Sequence, residues 1–461
     1  MRCSVVIPCL RRADLTRACL ESLLEQAGEH ELEILLVDNA NDVETQKLSA
    51  LAPCITVLVE PQNRGFAGAC NRGIARATMP FVLVLNNDTQ AAPSMLTRLH
   101  DALQRDSRIA FAAPISNRVK GQARVAVGDL GRTREGRAAI EAELGGDCRG
   151  IAQDLDTLSG LCLLGAATTW RLLSGFDERF FPGNYEDDDL CLRARIAGMR
   201  LVVARDAFLH HEAHQTFAAL GIVIADEVRR QHAVFTDKWR DDPAGRAVLS
   251  AMQNEWGQAA LAAMAAQRMH PEWPDADMIL GRWHAQNGRH DLAAPLFQSV
   301  LQRCPAWTDV IVQLGVCHIA LARPDLARSL WRHALTNCWF PREQGGELLV
   351  RLGDCAMKAR DFDTAAADFE TALLLLPGDA SVQNRLGAVF VEQRRFDEAL
   401  PILEAAAEQG AALAHTNLGI CHFQRGDSQR ALDHFARAAQ QLPNDPTAQS
   451  NYQTARAASA R

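Results

Sequence analysis

A buried strand that ends on a polar cluster is the first place where this sequence could do chemistry. In MPFVLVLNNDTQ, at 79–90, an apolar run leads into Asn86, Asn87 and Asp88. Such residues favour a turn where a strand ends, because their side chains bond their own backbone. In open α/β sheets, however, ligands bind just beyond the carboxyl ends of the strands. Asp88 is therefore either a turn residue or part of a site.

Four consecutive acidic residues form a second candidate site. Glu186, Asp187, Asp188 and Asp189 stand directly before the helical pattern LCLRARIAG. Negative charge at a helix N-terminus contributes only about 0.3 to 1 kcal/mol, and adjacent carboxylates repel one another. Helix stabilisation alone therefore does not account for four of them. Clustering can raise the pKa of one carboxylate toward a value that suits a general base.

Histidines near residue 210 form a third group. The stretch HHEAHQTF contains His210, His211 and His214. It differs from the zinc-protease pattern H-E-x-x-H, because position 211 is His rather than Glu. A histidine on the last strand of a sheet is the structural alternative to a ligand.

Alternating strand and helix patterns precede these groups and must position them. CSVVIP, LEILLVD, ITVLVE and FVLVLN read as short strands, and helical segments such as DLTRACLESLLEQ, with Asp14 placed to cap, lie between them. The alternation predicts a parallel sheet covered on both faces. We expect an α/β domain over residues 1–242, with a helix from about Phe217 to Trp239 and a boundary near 240–246.

The second half of the chain repeats. Leu-Gly pairs occur at 280/281, 314/315, 352/353, 386/387 and 418/419, and similar small and large apolar residues follow each Leu at offsets 13, 17 and 20. A period near 34 residues resembles the tetratricopeptide repeat. Five shared registers disfavour an unrelated helical bundle. We predict an all-α tetratricopeptide repeat solenoid over residues 246–461, whose concave groove would bind peptides or proteins.

Composition limits the remaining classes. The chain has 461 residues, a net charge of −8 and 48% hydrophobic residues, so a general nucleic-acid or membrane-surface binder is not indicated. Thirteen cysteines occur without a C-x-x-C pair, which argues against a disulfide framework and a zinc ribbon. No stretch approaches 18 apolar residues. We expect a soluble cytoplasmic protein with no membrane span.

Six stretches in order resemble family-2 glycosyltransferases of the GT-A fold. They are SVVIP near the start, LLVDNAND at 35–42, PQNRGFAGACNRGI at 61–74, VLNND at 84–88, GFDERFFPGNYEDDDLCLRARIAG at 175–198 and HHEAHQTF at 210–217. The resemblance covers about residues 1–240. It implies a Rossmann-like α/β fold, a nucleotide-sugar donor and a rhamnosyltransferase-like branch.

The resemblance also implies roles for the candidate residues. Asp88 would hold a divalent metal, Mn²⁺ or Mg²⁺, with Asn86 standing where many members have the first Asp of Asp-x-Asp. His211 would complete the metal or diphosphate site. Asp187 would act as the general base, and Glu186 would orient the acceptor or exchange roles with it. The site is thereby favoured over the turn at Asp88.

The donor nucleotide is expected at the loops of the first 90 residues. Asp38 would bind the base with Asn39 beside it, although a helix N-cap is the alternative for Asp38. Glycines in the next loop would let the backbone approach the nucleotide. The family pattern is altered at Leu10, Arg11 and residues 41–43, so the nucleotide stays open. The expected donor-binding set is Pro8, Asp38, Asn39, Asn63, Gly65, Gly68, Asn71 and Asn87.

These features predict an inverting, metal-dependent transferase that gives a β-type product from an α-type donor. Fusion to a solenoid favours a protein or peptide acceptor held by the repeats, as in bacterial transferases that act on flagellins or small secreted peptides. A saccharide or lipid-linked acceptor in O-antigen synthesis is the enzymatic alternative. The second alternative is a catalytically weak peptide-binding scaffold, which the altered motif for binding the nucleotide base supports.

Overall fold

The computed structural model describes residues 1–119, 121–212 and 223–459, and we refer to these as the described residues. They form an N-terminal α/β part and a C-terminal series of paired helices, as the sequence predicts. The chain separates into two compact units. The first is Met1–Ala322 with Asn337–Trp339, and the second is Arg323–Thr336 with the residues from Phe340 onward. The domain boundary expected near 240–246 lies within the first unit and stays a prediction.

A mixed sheet organises the α/β part. The strands are β1 (Arg2–Cys9), β2 (Glu31–Asp38), β3 (Ile55–Val59), β4 (Phe81–Leu85), β5 (Thr89–Ala91), β6 (Ile109–Ser116), β7 (Ala152–Asp154), β8 (Cys162–Ala166) and β9 (Arg200–His211). Their order is β3-β2-β1-β4-β8-β6-β9-β5, and β7 pairs with β9. The strands β1 to β4 run parallel, as predicted, whereas β8 is antiparallel to β4 and β6, so the sheet is not parallel throughout.

Helices cover both faces of this sheet, which explains why its strands are apolar on both sides. In β1, Val5 and Ile7 belong to one core cluster and Val6 to the other. The predicted helix from Phe217 begins at Ile224 within the described residues, and 217–222 lie outside them. The α-helices of this part are Ala13–Leu24, Val43–Gln46, Gly65–Arg76, Met95–Leu103, Arg134–Asp147, Ala167–Leu172, Glu186–Ile196 and Ile224–Trp239.

The repeat part owes its regularity to the Leu-Gly pairs. A Cβ atom added to Gly353 would lie 2.5 Å from the ring of Phe369, and one added to Gly419 would lie 2.5 Å from the ring of Phe435. Each glycine therefore lets the second helix of a pair approach the first. The helices are Pro243–Met252, Trp256–Met269, Pro274–Gln286, His290–Arg303, Thr308–Ala320, Pro324–Asn337, Arg342–Lys358, Phe362–Leu375, Ala380–Glu392, Phe396–Glu408, Ala412–Gln424, Ser428–Gln441 and Pro446–Ser459.

Across the described parts of the chain, every helix is either too short or too polar to span a membrane.

Candidate active site

The candidate residues gather where the parallel strands end. Cys9 and Asp38 are paired at the carboxyl ends of β1 and β2. The cluster Asn86 to Asp88 follows β4, which lies on the other side of β1. The expected donor residue Pro8 is one position before the end of β1. This edge of the sheet is where open α/β folds bind their ligands.

Asp88 lies against His211. Its Oδ1 is 3.3 Å from His211 Nε2, and both side chains are largely buried. The contact arises because Thr89, the first residue of β5, is paired with His211, the last residue of β9. The backbone N–H of Glu212 also donates to the Asp88 carbonyl at 3.0 Å. The fold thus joins two residues that are 123 positions apart.

The proton on His211 can be assigned from its neighbours. Nδ1 is 2.9 Å from the carbonyl oxygen of Arg118, which can only accept, so Nδ1 carries a hydrogen. Burial opposes protonation of the ring, but the hydrogen bond and charge of Asp88 outweigh it and raise the pKa of His211. A protonated ring donates from Nε2 to Asp88. In a neutral ring, Nε2 instead has a lone pair beside the Asp88 carboxylate. The imidazole nitrogen and the carboxylate oxygen are both suitable ligands for a divalent cation.

His210 faces the other side of β9, since successive strand residues alternate. It is buried beside Gly131, and its Nε2 lies 3.2 Å from Glu212 Oε1. Burial lowers its pKa. The histidine beside Asp88 is therefore His211. His214, also noted from the sequence, lies outside the described residues.

Tertiary contacts hold the other two residues of the Asn-Asn-Asp cluster. Asn87 is buried and donates from Nδ2 to Thr16 Oγ1 at 3.0 Å. The Asn86 N–H donates to the Leu161 carbonyl at 2.9 Å. Asn86 Oδ1 is buried and accepts no hydrogen bond from the described residues. That oxygen is available to a ligand at the end of β4.

Asp38 organises the loop that follows β2. Its buried carboxylate accepts the N–H groups of Ala40 and Asp42 and the Nε2 amide of Gln46, at 2.8 to 3.2 Å. The helix N-cap considered for Asp38 is instead made by Asp42, which accepts the N–H of Thr45. A base-binding role for Asp38 stays a prediction.

Asn39 connects this loop to the next one. Its Oδ1 accepts the Arg64 N–H at 2.8 Å, and its Nδ2 donates to Asn63 Oδ1 at 2.9 Å and to the Gly65 carbonyl at 3.1 Å. Asn63 Oδ1 accepts the Gly65 N–H as well. The loops after β2 and β3 are thereby held together as one surface.

Two glycines in the first turn of the helix Gly65–Arg76 allow a close approach to the segment that precedes the acidic run. Gly65 has φ +70°, and a Cβ there would lie 2.8 Å from the Phe181 ring. A Cβ on Gly68 would lie 3.3 Å from Glu178 Oε2. Asn71 bonds both backbone groups of Phe176 at 2.8 and 2.9 Å. All three residues therefore have packing roles, and donor binding by them stays a prediction.

The acidic run divides into residues with different environments. Glu186 is buried, and its Oε2 accepts no hydrogen bond from the described residues. Burial and the nearby charge of Asp187 raise the pKa of Glu186 well above its ordinary value. Asp187 is only half-buried, and its Oδ2 accepts the Gly160 N–H at 2.9 Å. The raised pKa expected from clustering therefore falls on Glu186.

Two adjacent residues bridge the acidic run and the Asn-Asn-Asp cluster. Gly160 donates its N–H to Asp187, while the carbonyl of Leu161 accepts the N–H of Asn86. The start of β8 lies beside the end of β4 because the two strands are paired, Cys162 opposite Leu85. Asp187 thus belongs to the same edge of the sheet as Asp88.

Asp189 has a structural role that the sequence reasoning missed by treating the run as one group. It is fully buried, and its Oδ2 is 2.8 Å from Arg193 Nε. Its Oδ1 accepts the Trp239 indole N–H at 3.0 Å and contacts Lys238 Nζ at 2.5 Å. The four-residue spacing of Asp189 and Arg193 in a predicted helix could have indicated this ion pair.

A polar cleft of about 730 Å³ was not predicted from the sequence. It lies between the loops after β1 and β2, and its lining includes Asn41, the basic residues Arg11, Arg12, Arg17 and Lys47, and the acidic residues Asp14, Asp42 and Glu44. Three of these residues have left-handed backbone conformations, with φ of 61°, 55° and 51° for Arg11, Arg12 and Asn41. Strained backbone of this kind is concentrated at functional sites. Arg11 and Asn41 are also positions where the sequence departs from the family pattern. That departure is the feature of the sequence that could have indicated the cleft.

Comparisons with known proteins identify the families of the two parts of the chain. The model of the family described as "Glycosyl transferase family 2" matches residues 4–145. A tetratricopeptide repeat model matches 247–306, 350–411 and 384–446. The class is therefore a glycosyltransferase. In particular, the chain carries a glycosyltransferase family 2 domain at its N-terminus and tetratricopeptide repeats toward its C-terminus.

Individual relatives are similar over the transferase part. An N-acetylglucosaminyl-diphospho-decaprenol L-rhamnosyltransferase of Mycobacterium tuberculosis is 28% identical over 221 residues, covering 42% of this chain and 71% of the relative. The O-antigen biosynthesis protein RfbC of Myxococcus xanthus is 28% identical over 46% of this chain and 17% of its own. The solved structure of YrrB, a TPR protein, aligns with 42% of this chain and 100% of its own, at 19% identity and a TM-score of 0.37.

Proposed function

We propose that this glycosyltransferase is an inverting, metal-dependent enzyme that moves a sugar from a nucleotide sugar to a polypeptide held by its repeats. The observation that carries the catalytic part is the pair of Asp88 and His211 at the end of β4, joined through residues 160–161 to Asp187. A cation-binding pair and an accessible carboxylate on one sheet edge are the parts that sugar transfer from a diphosphate requires.

Asp88 and His211 would hold the divalent metal. The cation, when bound, neutralises the charge that develops on the leaving diphosphate. Among the described residues no group of three His, Cys, Asp or Glu side chains could hold a metal ion. The two donors therefore fit a cation whose remaining positions are filled by phosphate oxygens and water. The orphaned Oδ1 of Asn86 is a further acceptor for a ligand beside them.

Asp187 would remove the proton from the acceptor hydroxyl or amine as that atom attacks carbon 1 of the sugar. The new bond forms on the face opposite the departing diphosphate, which inverts the configuration at carbon 1. Burial and the charge of Asp187 raise the pKa of Glu186 and thereby favour its neutral form, which already carries a proton. It would instead support the acceptor side of the site as a hydrogen-bond donor. The nucleotide would occupy the loops around Asp38 and Asn39.

The repeats support a polypeptide acceptor because solenoids of this kind present an extended binding surface. Contacts far from the reacting atom can position that atom for transfer. The rhamnosyltransferase and O-antigen names of the relatives favour a second candidate, a saccharide or lipid-linked acceptor. We also propose a cytoplasmic location, because all thirteen cysteines are free thiols, as is usual in a reducing compartment.

The first experiment measures nucleotide-sugar hydrolysis by the full chain with Mn²⁺, with Mg²⁺ and with EDTA across a donor panel. We expect hydrolysis of one donor class that EDTA abolishes. His211→Gln should lower the rate about 10- to 100-fold, as loss of a supporting ligand does. His210→Gln is the matched control, since it changes the neighbouring histidine on the opposite face. Full activity in EDTA would contradict the metal assignment.

The second experiment identifies the acceptor. The full chain and the identified donor are incubated with a cell lysate and, separately, with a lipid extract. Transfer to a polypeptide appears as an increase in intact mass equal to one or more sugars. Transfer only to extracted lipid would replace the polypeptide proposal with the lipid-linked one.

A further inference from the structure

The helix Glu186–Ile196 carries the proposed base at its first turn and a buried charge at its last turn. Arg195 forms an ion pair with Asp275, and their side chains are only 9% and 1% exposed. Arg195 Nη1 donates to the Asp156 carbonyl at 2.7 Å. The guanidinium carbon is 5.3 Å from the ring centroid of Trp307. Asp275 and Trp307 belong to the region in which the repeats were predicted from the sequence.

Apolar side chains continue this contact. Leu192, on the same helix, is in one core cluster with Trp273, Ile279 and Phe235, and Ile196 packs against that cluster. The cluster also includes residues of the helix Ile224–Trp239 and of the three helices that follow it, from Pro243 to Gln286. The base-carrying helix therefore contributes to the core of the first repeats.

A second contact lies at the edge of the sheet. Asp154 in β7 accepts the Ala306 N–H at 2.9 Å, and Gln153 Nε2 donates to Thr308 Oγ1 at 3.2 Å. Close to the helix end, a Cβ on Gly198 would lie 2.8 Å from Glu272 Cβ. All of these residues belong to the first compact unit, which extends to Ala322.

We propose that the repeat helices up to Ala322 are part of the catalytic unit, and that Arg195 and Asp275 are positioning residues for the helix that carries Asp187. This inference rests on the proposed role of Asp187 as the base. Asp187 lies eight residues from Arg195, about 12 Å along a helix that moves as a rigid element. Loss of one partner leaves a buried charge uncompensated, so the helix end must shift or open to water. A misplacement of about 1 Å at a reacting group can cost roughly 100-fold in rate.

The test uses Asp275→Asn in the full chain, because Asn keeps the shape and removes the charge. We expect faster hydrogen exchange in peptides covering 186–196 and no change in β1 or β4. With the donor identified above, kcat should fall at least 10-fold while the donor KM changes less than 2-fold. Asp275→Glu, which restores the charge, should recover most of kcat.

Asp368→Asn is the matched control. Asp368 is a buried carboxylate that Arg332 binds at 2.7 and 2.9 Å in the second unit, so its loss should leave exchange at 186–196 and kcat unchanged. If Asp275→Asn does not fold, Trp307→Leu removes the ring beside Arg195 more mildly, with a 3- to 10-fold loss of kcat expected.

Unchanged exchange at 186–196 in the folded variant, or unchanged kcat, would overturn the positioning inference. The proposed function fails separately, because it predicts activity of the wild-type chain, whereas hydrogen exchange needs no activity.

Discussion

Residues of one type have the same role throughout the repeats but different roles at the edge of the sheet. In the repeats, Gly353 and Gly419 do the same thing, since each makes room for an aromatic ring on the next helix. At the sheet edge, Asn86 and Asn87 are neighbours with different tasks. Asn87 is bonded to the first helix, whereas the Asn86 side-chain oxygen lacks a bond from the described residues.

The two regions differ in how far apart along the chain the contacting residues lie. A repeat glycine meets a ring 16 positions later, so the period of the sequence reports the contact. Asp88 meets His211 only because β5 and β9 are paired. A change at one repeat contact should therefore leave catalysis intact, whereas a change at a single contact of the sheet edge should not.

The largest effect should come from Asp88→Asn. The change removes the one carboxylate proposed to hold the metal, and we expect a loss of roughly 10³-fold in kcat, since metal stabilisation supplies several kcal/mol. The melting temperature should hardly change, because Asn has the same shape and keeps its contact with His211. Steady-state hydrolysis and thermal denaturation measure both. An active variant would show that the sheet edge tolerates change as the repeats do.

Asp187→Asn should have the next largest effect. A general base contributes typically about 10² to 10⁴ in rate, and we expect transfer to fall by about 10²-fold, the lower end of that range, while donor binding persists. Glu186→Gln is the matched variant, and it should cost far less because burial already favours the neutral form of Glu186. Donor binding by calorimetry and transfer rates for both variants decide the roles. The reverse order of losses would make Glu186 the base.

Gly353→Ala should destabilise the repeats without touching catalysis. The added methyl would lie 2.5 Å from Phe369, and overpacking typically costs about 1 to 3 kcal/mol. Gly345→Ala on the same helix is the control, because its methyl would meet its nearest neighbour at an ordinary 3.5 Å. Chemical denaturation measures the two free energies of unfolding. Equal values would mean that the glycine of the Leu-Gly pair is not needed for close packing.

The smallest effect concerns acid sensitivity of the repeats. Burial, and next the charges of His415 and His422, lower the pKa of His434 from 6.5 to about 4. The unfolded chain therefore binds this proton more readily, so stability should be present above pH 6.5 and fall as the pH drops from 6.5 toward 4. His434→Gln should make the melting temperature less dependent on pH in that window. If the melting temperatures of wild type and variant depend on pH in the same way, His434 is not the cause of the acid sensitivity.

The sequence predicted the fold class from local patterns and the transferase class from six stretches that resemble family-2 glycosyltransferases. Alternating strands and helices indicated the parallel strands β1 to β4 but not the antiparallel strand β8, and polar residues after strands indicated the edge that binds ligands. The repeats were readable from the recurrence of Leu-Gly pairs. The acidic run could be recognised as well, although only the family resemblance assigned different roles to Asp187 and Glu186.

Only the tertiary structure showed that the acidic residues have different environments. Burial made Glu186 the carboxylate with a raised pKa, and an indole and two cations enclosed Asp189. The pairing of β5 with β9 chose His211 rather than His210 as the neighbour of Asp88. Composition and spacing describe which groups are near in sequence. Desolvation and charge act through space, so the protonation and partners of these side chains were decided by contacts that no local pattern contains.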